Sequence, residues 1–317
     1  MKAIVYSKKQ AQNKFQYCDV EPPLPGAKQI LVKVYYCSIN AADTRSLKMG
    51  IIPKSRIFGS ALSGRVEGVG KQVSGFKVGD EVVADLSDFG FGALAEYALA
   101  PEKALILKPS SLSFESAAAL PVAATTALKA LRNKANIKEG DKVLIVGASG
   151  GVGSFAIQIA KYYGASVSAV CSTNNVAQSK ALGANHVIDY NKENFLETKE
   201  RFDLILAING NYPLLAYRRI LTTSGTFVMV GGDLAQIFKS LLFSRLLSFG
   251  SKKMRSLTAK ADSKDLELVA DWASKSIIKP NIIKQYPLKN SATAIDYLSQ
   301  GHASGKVIIK VAENEKK

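Results

Sequence analysis

The stretch Lys142–Gly153, KVLIVGASGGVG, decides the fold. Lys142–Val146 is a short apolar, β-branched run and reads as a buried parallel strand. A glycine-rich turn follows, and FAIQIAKYYG (Phe155–Gly164) then sets apolar side chains at helical spacing. Strand, turn and helix together make an anion site, because a helix N-terminus offers unpaired N–H groups and the positive end of its dipole. In the dinucleotide fingerprint G-x-G-x-x-G/A the first glycine makes the turn. The second lets the backbone approach the pyrophosphate, and the third lets the helix lie close on the strand. Here the fingerprint reads Ala148-Ser149-Gly150-Gly151-Val152-Gly153, so alanine replaces the first glycine and the other two stand. In this setting the motif predicts nucleotide binding through Ser149, Gly150, Gly151, Val152 and Gly153.

Working outward, the pattern after Asp141 alternates strands with helices: KVLIV, SVSAVCS, HVIDY, DLILAI and TFVMVG are the strands, and VAQSKALG is one of the helices between them. That alternation predicts a doubly wound parallel sheet. Residues 1–110 carry short strands instead (KAIVY, QILVKVYYCSI, GRVEGVG, DEVVADL) with turn punctuation between them, which predicts a compact, barrel-like β domain. Between the two, SFESAAALPVAATTALKALRNKANIKEG is helical in character, with Ser113 as a cap and Pro121 as a break. From about Pro280 strand character returns, and GKVIIKV (Gly305–Val311) is expected to rejoin the first domain. The expected division is therefore 1–120 plus 280–317, with 121–279 as the nucleotide domain.

The 317 residues suffice for two domains of ordinary size, and 47% hydrophobic content can bury a full core. Disorder is expected only at the tail ENEKK. Cys18, Cys37 and Cys171 are odd in number and far apart, which argues for a reducing compartment rather than a disulfide framework. MKAIVYSKK does not read as a secretory signal, and no apolar run approaches the roughly 20 residues of a membrane helix. The expectation is a soluble, cytoplasmic protein. The balance of 42 Lys+Arg against 26 Asp+Glu gives +16, a charge that suits anionic partners. No arginine-rich block or nucleic-acid motif accompanies it, so no nucleic-acid partner is expected.

These motifs, in this order, resemble the medium-chain dehydrogenase/reductase superfamily, in particular its zinc-free quinone oxidoreductase branch. The resemblance rests on SINAAD (Ser38–Asp43), GSALSGRVEGVG (Gly59–Gly70), VGDEV (Val78–Val82), GALAEYALA (Gly92–Ala100) and AAALPVAATTA (Ala117–Ala127). It continues through GASGGVG (Gly147–Gly153), LGANHVIDY (Leu182–Tyr190), SGTFVMVGG (Ser224–Gly232) and GHASGKVIIKV (Gly301–Val311). The short loop DFGFGALAEY and the ending GHASGK are most similar to plant chloroplast-envelope quinone oxidoreductase homologues and their bacterial relatives. The resemblance implies a GroES-like β-barrel catalytic domain built from both ends of the chain. A Rossmann domain is inserted in it, with the active site in the cleft.

Zinc-dependent members hold their catalytic ion with cysteine and histidine. By the resemblance, Asn40 stands at the first cysteine position and Ser60-Ala61 replaces the histidine–acid pair. Independently, two histidines (His186 and His302) and three scattered cysteines match no familiar zinc spacing, so no metal is expected. Without a Lewis acid, the chemistry best suited to the fold is hydride addition to a quinone or an α,β-unsaturated carbonyl. The resemblance makes Asn40 the candidate catalytic residue, with a turn-stabilising asparagine as the rival reading. Asp43 is expected to hold the loop around Arg45. Thr125 is assigned beside the nicotinamide, with helix packing as its rival. Tyr35, Tyr36 and Tyr97 read as packing residues rather than proton donors, and His302 as structural.

An NAD-preferring fold carries an acid roughly 20 residues after the turn, at the end of the second strand. That position falls in AVCST (Ala169–Thr173), which has none. Ser172, Thr173, Asn174 and Asn175 offer donors that tolerate a 2′-phosphate, and Lys180 offers charge, so the expected cofactor is NADPH. The resemblance places Tyr190 against the adenosine phosphate, and Gly231 and Gly232 complete the expected cofactor set. Cys171 reads as an inert core residue. In Gly231–Ser256, Phe238, Leu241, Leu242, Leu246 and Phe249 fall at helical spacing with Lys239 and Arg245 between them. This predicts an amphipathic helix, either packed on its own protein or partner, or lying weakly on an anionic membrane, or forming a flexible lid over the substrate cleft. A homodimer through the nucleotide-domain sheet is expected. The alternatives are an aldehyde- or alcohol-type reductase, and an NADPH-binding protein of membrane or RNA with little turnover.

Overall fold

The computed structural model describes residues 1–8, 14–232, 234–243, 247–248, 250–301 and 303–312, without the side chains of 234, 241 and 243. The chain divides into two units, Met1–Thr125 with Lys260–Lys317, and Thr126–Ala259. His302, Arg245, Leu246, Phe249 and the ENEKK tail lie outside the described residues.

The first unit opens with β1 (Lys2–Tyr6) and β2 (Phe15–Asp19), an antiparallel pair. The long β3 (Gln29–Ile39) runs into α1 (Ala41–Lys48). After it come β4 (Ala61–Val69), β5 (Glu81–Asp85), β6 (Tyr97–Pro101) and β7 (Leu105–Leu107). Helix α2 (Phe114–Ala119) starts where Ser113 accepts a hydrogen bond from the Ser116 N–H at 3.1 Å, as its capping signal predicts. Pro121 then separates α2 from α3 (Ala123–Leu128), and Val122 takes a left-handed φ of 63° in the gap. Tyr35 is fully buried with its ring edge-on to Phe114 at 4.7 Å, which is a packing role.

The second unit runs β8 (Lys142–Val146), α4 (Gly151–Tyr162), β9 (Ser166–Cys171), α5 (Val176–Ala181), β10 (His186–Asp189) and β11 (Phe202–Ala207). It continues with α6 (Leu214–Arg219), β12 (Leu221–Met229), α7 (Leu234–Phe243) and β13 (Lys253–Ser256). Its six strands are all parallel, in the order β10-β9-β8-β11-β12-β13. The β8 side chains from Val143 to Val146 are buried, which is why that strand reads as a continuous apolar run rather than an alternating one.

The chain then returns to the first unit as α8 (Ser263–Ser274), β14 (Ile282–Pro287), α9 (Ser291–Ser299) and β15 (Lys306–Lys310). Strand β15 pairs antiparallel with β3 from Val307↔Ile39 to Lys310↔Tyr36, within a seven-stranded sheet of order β14-β15-β3-β4-β5-β7 in which β6 also pairs β3.

Two features differ from the sequence expectation. The second unit ends at Ala259, about 20 residues before the expected boundary at 279, because α8 packs against β7 of the first unit. Leu266 and Val269 of α8 are buried, and the Ala261 N–H donates to Asp88 at 2.6 Å. The other difference lies in Gly231–Ser256, which is not one helix: Lys253–Ser256 is an edge strand paired with β12. Within α7 Ser240 Oγ lies 2.8 Å from Ser256 Oγ, and Phe238 and Leu242 of the expected apolar stripe are instead 67% and 57% exposed.

Candidate active site

Because every strand of the second unit is parallel, all their C-terminal ends share one sheet edge, and the strand order reverses direction at β8 and β11. Past β8, the backbone N–H groups of Gly147 and Ala148 both donate to the Val170 carbonyl, at 3.2 and 3.1 Å. Gly147 takes a left-handed φ of 84°. The turn glycine has thus moved one residue earlier, which is why Ala148 is tolerated at the fingerprint's first position. Gly150 caps α4 without any side-chain hydrogen bond, so the first-turn N–H groups of a 12-residue helix have no side-chain partner. A β-carbon on Gly153 would run into the carbonyl oxygens of Gly147 and Ala148, so this glycine lets the helix lie against the turn.

Past β9, the Asn175 side chain donates to Ser172 Oγ at 2.9 Å. The neighbouring strand end contributes Asn191, whose amide donates to Thr173 Oγ1 at 3.2 Å. Asn174 is exposed, and Tyr190 is 47% exposed. Beside them lies a groove of about 390 Å³ lined by residues 190–195, Lys192 and Glu193 among them, and by Tyr212. Sequence counting misses one acid here: Asp189 closes β10, accepts from the Asn191 N–H at 3.1 Å, and stands 3.8 Å from Lys192 Nζ. Lys192, itself exposed, brings a cation to this edge, and Lys180 is exposed on α5. Gly231 and Gly232 follow β12 on the same edge, with the Gly231 N–H on the Ala207 carbonyl at 3.1 Å. The edge therefore collects Ser149–Gly153, Ser172–Asn175, Tyr190 and Gly231–Gly232. These residues fit a dinucleotide. Thr125 is the last residue of the first unit, buried, with its hydroxyl donating to the Val122 carbonyl at 3.5 Å.

In the first unit Asn40 sits between the end of β3 and the start of α1, 5% exposed. Its backbone N–H donates to Asp43 Oδ2 at 2.8 Å, which fixes the first turn of the helix. Its side-chain amide is fully engaged. Nδ2 donates to the Ser38 carbonyl at 3.0 Å and to Ser60 Oγ at 3.1 Å, while Oδ1 accepts from Lys306 Nζ at 2.5 Å. Ser60 in turn donates to Asp43 Oδ2 at 2.7 Å, and the Gly59 N–H donates to Asp43 Oδ1 at 2.9 Å. Asp43 thus secures the Gly59–Ser60 turn rather than the loop around Arg45. Burial raises its carboxyl, opposed by those three hydrogen bonds and by the Lys306 charge. Burial lowers Lys306 to about 8, opposed by the charges of Asp43, Cys37 and Asp85. Burial also pushes the Cys37 thiol up, so it is not a nucleophile.

This donor set does not fit a zinc ion. It presents an amide, a hydroxyl, one carboxylate whose two oxygens already accept three hydrogen bonds, and an ammonium that repels a second cation, with no imidazole among them. No cluster of three His, Cys, Asp or Glu side chains occurs among the described residues. Lys306 lies in the matching ending GHASGK, but nothing in that motif assigns it a role. Only the β15–β3 register brings it beside Asn40, since Val307 pairs Ile39.

A parallel nucleotide-type sheet joined to a mostly antiparallel unit assembled from both sides of it is the architecture expected of a two-domain dehydrogenase. Residues 26–110 match the family model of the alcohol dehydrogenase GroES-like domain, and residues 182–309 that of the zinc-binding dehydrogenases. The chain is 31% identical over 309 residues to the chloroplast envelope quinone oxidoreductase homolog of Arabidopsis thaliana, covering 93% of each. It is 31% identical over 293 residues to that plant's chloroplastic NADPH-dependent alkenal/one oxidoreductase, covering 89% of this chain and 72% of the relative. The solved quinone oxidoreductase of Coxiella burnetii superposes with a TM-score of 0.87 at 29% identity, over 98% of this chain and 99% of that one. The protein belongs to the medium-chain dehydrogenase/reductase superfamily, within its quinone oxidoreductase group.

Proposed function

We propose that the protein is an NADPH-dependent, zinc-independent reductase of quinones or α,β-unsaturated carbonyl compounds, acting as a homodimer. The observation that carries this reading is the hydrogen-bonded amide, hydroxyl and ammonium set around Asn40, which supplies a buried positive charge without a metal donor set. Bound NADPH supplies a hydride. In a conjugated acceptor the displaced electron pair moves to the carbonyl oxygen, which takes its proton from water, so no strong protein acid is required.

The chain's own part is to bind and to set charge. Turn Ser149–Gly153 offers backbone N–H groups to the pyrophosphate at the start of α4. Ser172, Thr173, Asn174 and Asn175, with Lys192 nearby, suit a 2′-phosphate, and Tyr190 lies on the same edge. Gly231 and Gly232 leave the backbone open to the cofactor. Thr125 is assigned to the nicotinamide, and Asn40 is the polar centre of the reacting end. The relative named as an NADPH-dependent alkenal/one oxidoreductase supports both the cofactor and the acceptor class.

The test is NADPH oxidation followed by absorbance, with NADH in parallel, against quinones, enones and saturated aldehydes. Turnover confined to conjugated acceptors and faster with NADPH is the expected result. Preference for NADH removes the cofactor assignment, and turnover of saturated aldehydes removes the acceptor class.

A further inference from the structure

Lys306 is 3% exposed, yet its ammonium has one hydrogen-bond acceptor among the described residues, the neutral amide oxygen of Asn40. A buried ammonium is expensive unless it is paired and fully hydrogen-bonded. Asp43, the carboxylate that acts on it most strongly, is linked to it through other side chains. Lys306 Nζ donates to Asn40 Oδ1, Asn40 Nδ2 donates to Ser60 Oγ, and Ser60 donates to Asp43 Oδ2. Every bond in this chain runs from the cation towards the anion. The direction also fixes the amide. Turning Asn40 over would set its NH2 group against an ammonium that can only donate, and its oxygen against the Ser38 carbonyl, which can only accept.

We propose that Lys306 is a positioning residue of the active site. Through Asn40 it locks the amide–hydroxyl–carboxylate chain in one polarity and holds a fixed positive charge where negative charge develops on the acceptor. This rests on the reductase reading for its catalytic consequence, though not for the coupling between Lys306 and Asn40. The charged and titratable groups facing Lys306 are Asp43 on α1, Cys37 on β3 and Asp85 at the end of β5. The two carboxylates favour the protonated ammonium, and the Cys37 thiol, pushed up by its own burial, adds no charge at neutral pH.

The test uses the full-length protein with Lys306→Gln, which keeps a donor to Asn40 without the charge, and Lys306→Met, which removes both. Asn40→Ala and the Asn40→Ala/Lys306→Met double variant complete the cycle. The expected result is a loss in kcat of about a hundredfold in Lys306→Met, with the KM for acceptor and NADPH affinity little changed. An alkaline limb in the wild-type profile is lost in Lys306→Gln. The double variant is no slower than the slower single one. Wild-type kcat and pH profile in both lysine variants overturn the proposal, as do losses that multiply in the double variant. If the wild type reduces no conjugated acceptor, the reductase reading fails by itself. The coupling is then read by NMR titration of the 13Cε-labelled lysines. A buried lysine resonance absent from Lys306→Gln and displaced in Asn40→Ala supports it, and one unmoved by Asn40→Ala overturns it.

Discussion

The edge of the parallel sheet and the cluster around Asn40 are built in opposite ways. The edge is an open row of backbone N–H groups, hydroxyls and amides, each arriving at the end of a strand and contributed by runs of adjacent residues. The cluster is closed, buried and charged, and it joins Asn40 and Asp43, Gly59 and Ser60, and Lys306 from three distant segments. The difference teaches that nucleotide binding depends on backbone shape. The Asn40 cluster, the proposed reacting end, depends instead on electrostatics that only the tertiary register can assemble.

Substitutions that attack shape in the first region and charge in the second separate the two. The largest effect is expected from Gly153→Val, because its side chain meets fixed backbone carbonyls rather than a movable side chain. A loss of about 4 kcal/mol in urea unfolding, with loss of NADPH-induced stabilisation, is the expected outcome. Wild-type stability would show that the turn can shift. Next is the pH dependence of stability. Lys306 ionises near 8 in the fold and at its ordinary 10.5 when unfolded, so between those values the unfolded chain binds more protons. Its penalty is therefore complete below pH 8 and is relieved as the pH rises towards 10.5. Relative to Lys306→Gln, the wild type should gain about 3 kcal/mol across that window. A pH-independent difference between the two sets of urea melts would contradict a buried charge. The smallest effect is expected at the open edge, where Ser172→Asp puts a carboxylate among neutral donors. Solvent screens it, so a shift of about 2 kcal/mol in kcat/KM from NADPH towards NADH is expected. An unchanged ratio of the two would place the 2′-phosphate elsewhere.

What was legible in the sequence follows the same division. The strand–turn–helix at Lys142–Tyr162 depends on neighbours in sequence, so apolar period and glycine placement sufficed, and so did the alternation that gives the parallel sheet. Asn40 and the Ser60 position could be singled out by resemblance, but Lys306 could not. A lysine opening an apolar strand has no distinguishing period, and its place beside Asn40 is set by β15 pairing with β3. Asp189 escaped notice because it stands on the strand next to the one where the acid was sought. The helix predicted through Ser256 failed because a four-residue edge strand carries too little pattern to compete with a helical apolar repeat. The α8 boundary was missed for a related reason: amphipathicity shows that a helix packs, not on which unit.

The position of β15 also bears on the order in which the molecule can be finished as it is synthesised. Residues 126–259 supply every strand of the parallel sheet from one uninterrupted run, so that sheet can be completed while later residues are still being added. The other sheet has to wait. Until residues 306–310 emerge, the Tyr36–Ile39 stretch of β3 has a free edge where β15 will pair, and Asn40 lacks its cation. A ribosome halted anywhere in the interval leaves a chain with a complete parallel sheet, an unfinished Asn40 cluster, and an open strand edge able to recruit a neighbouring chain.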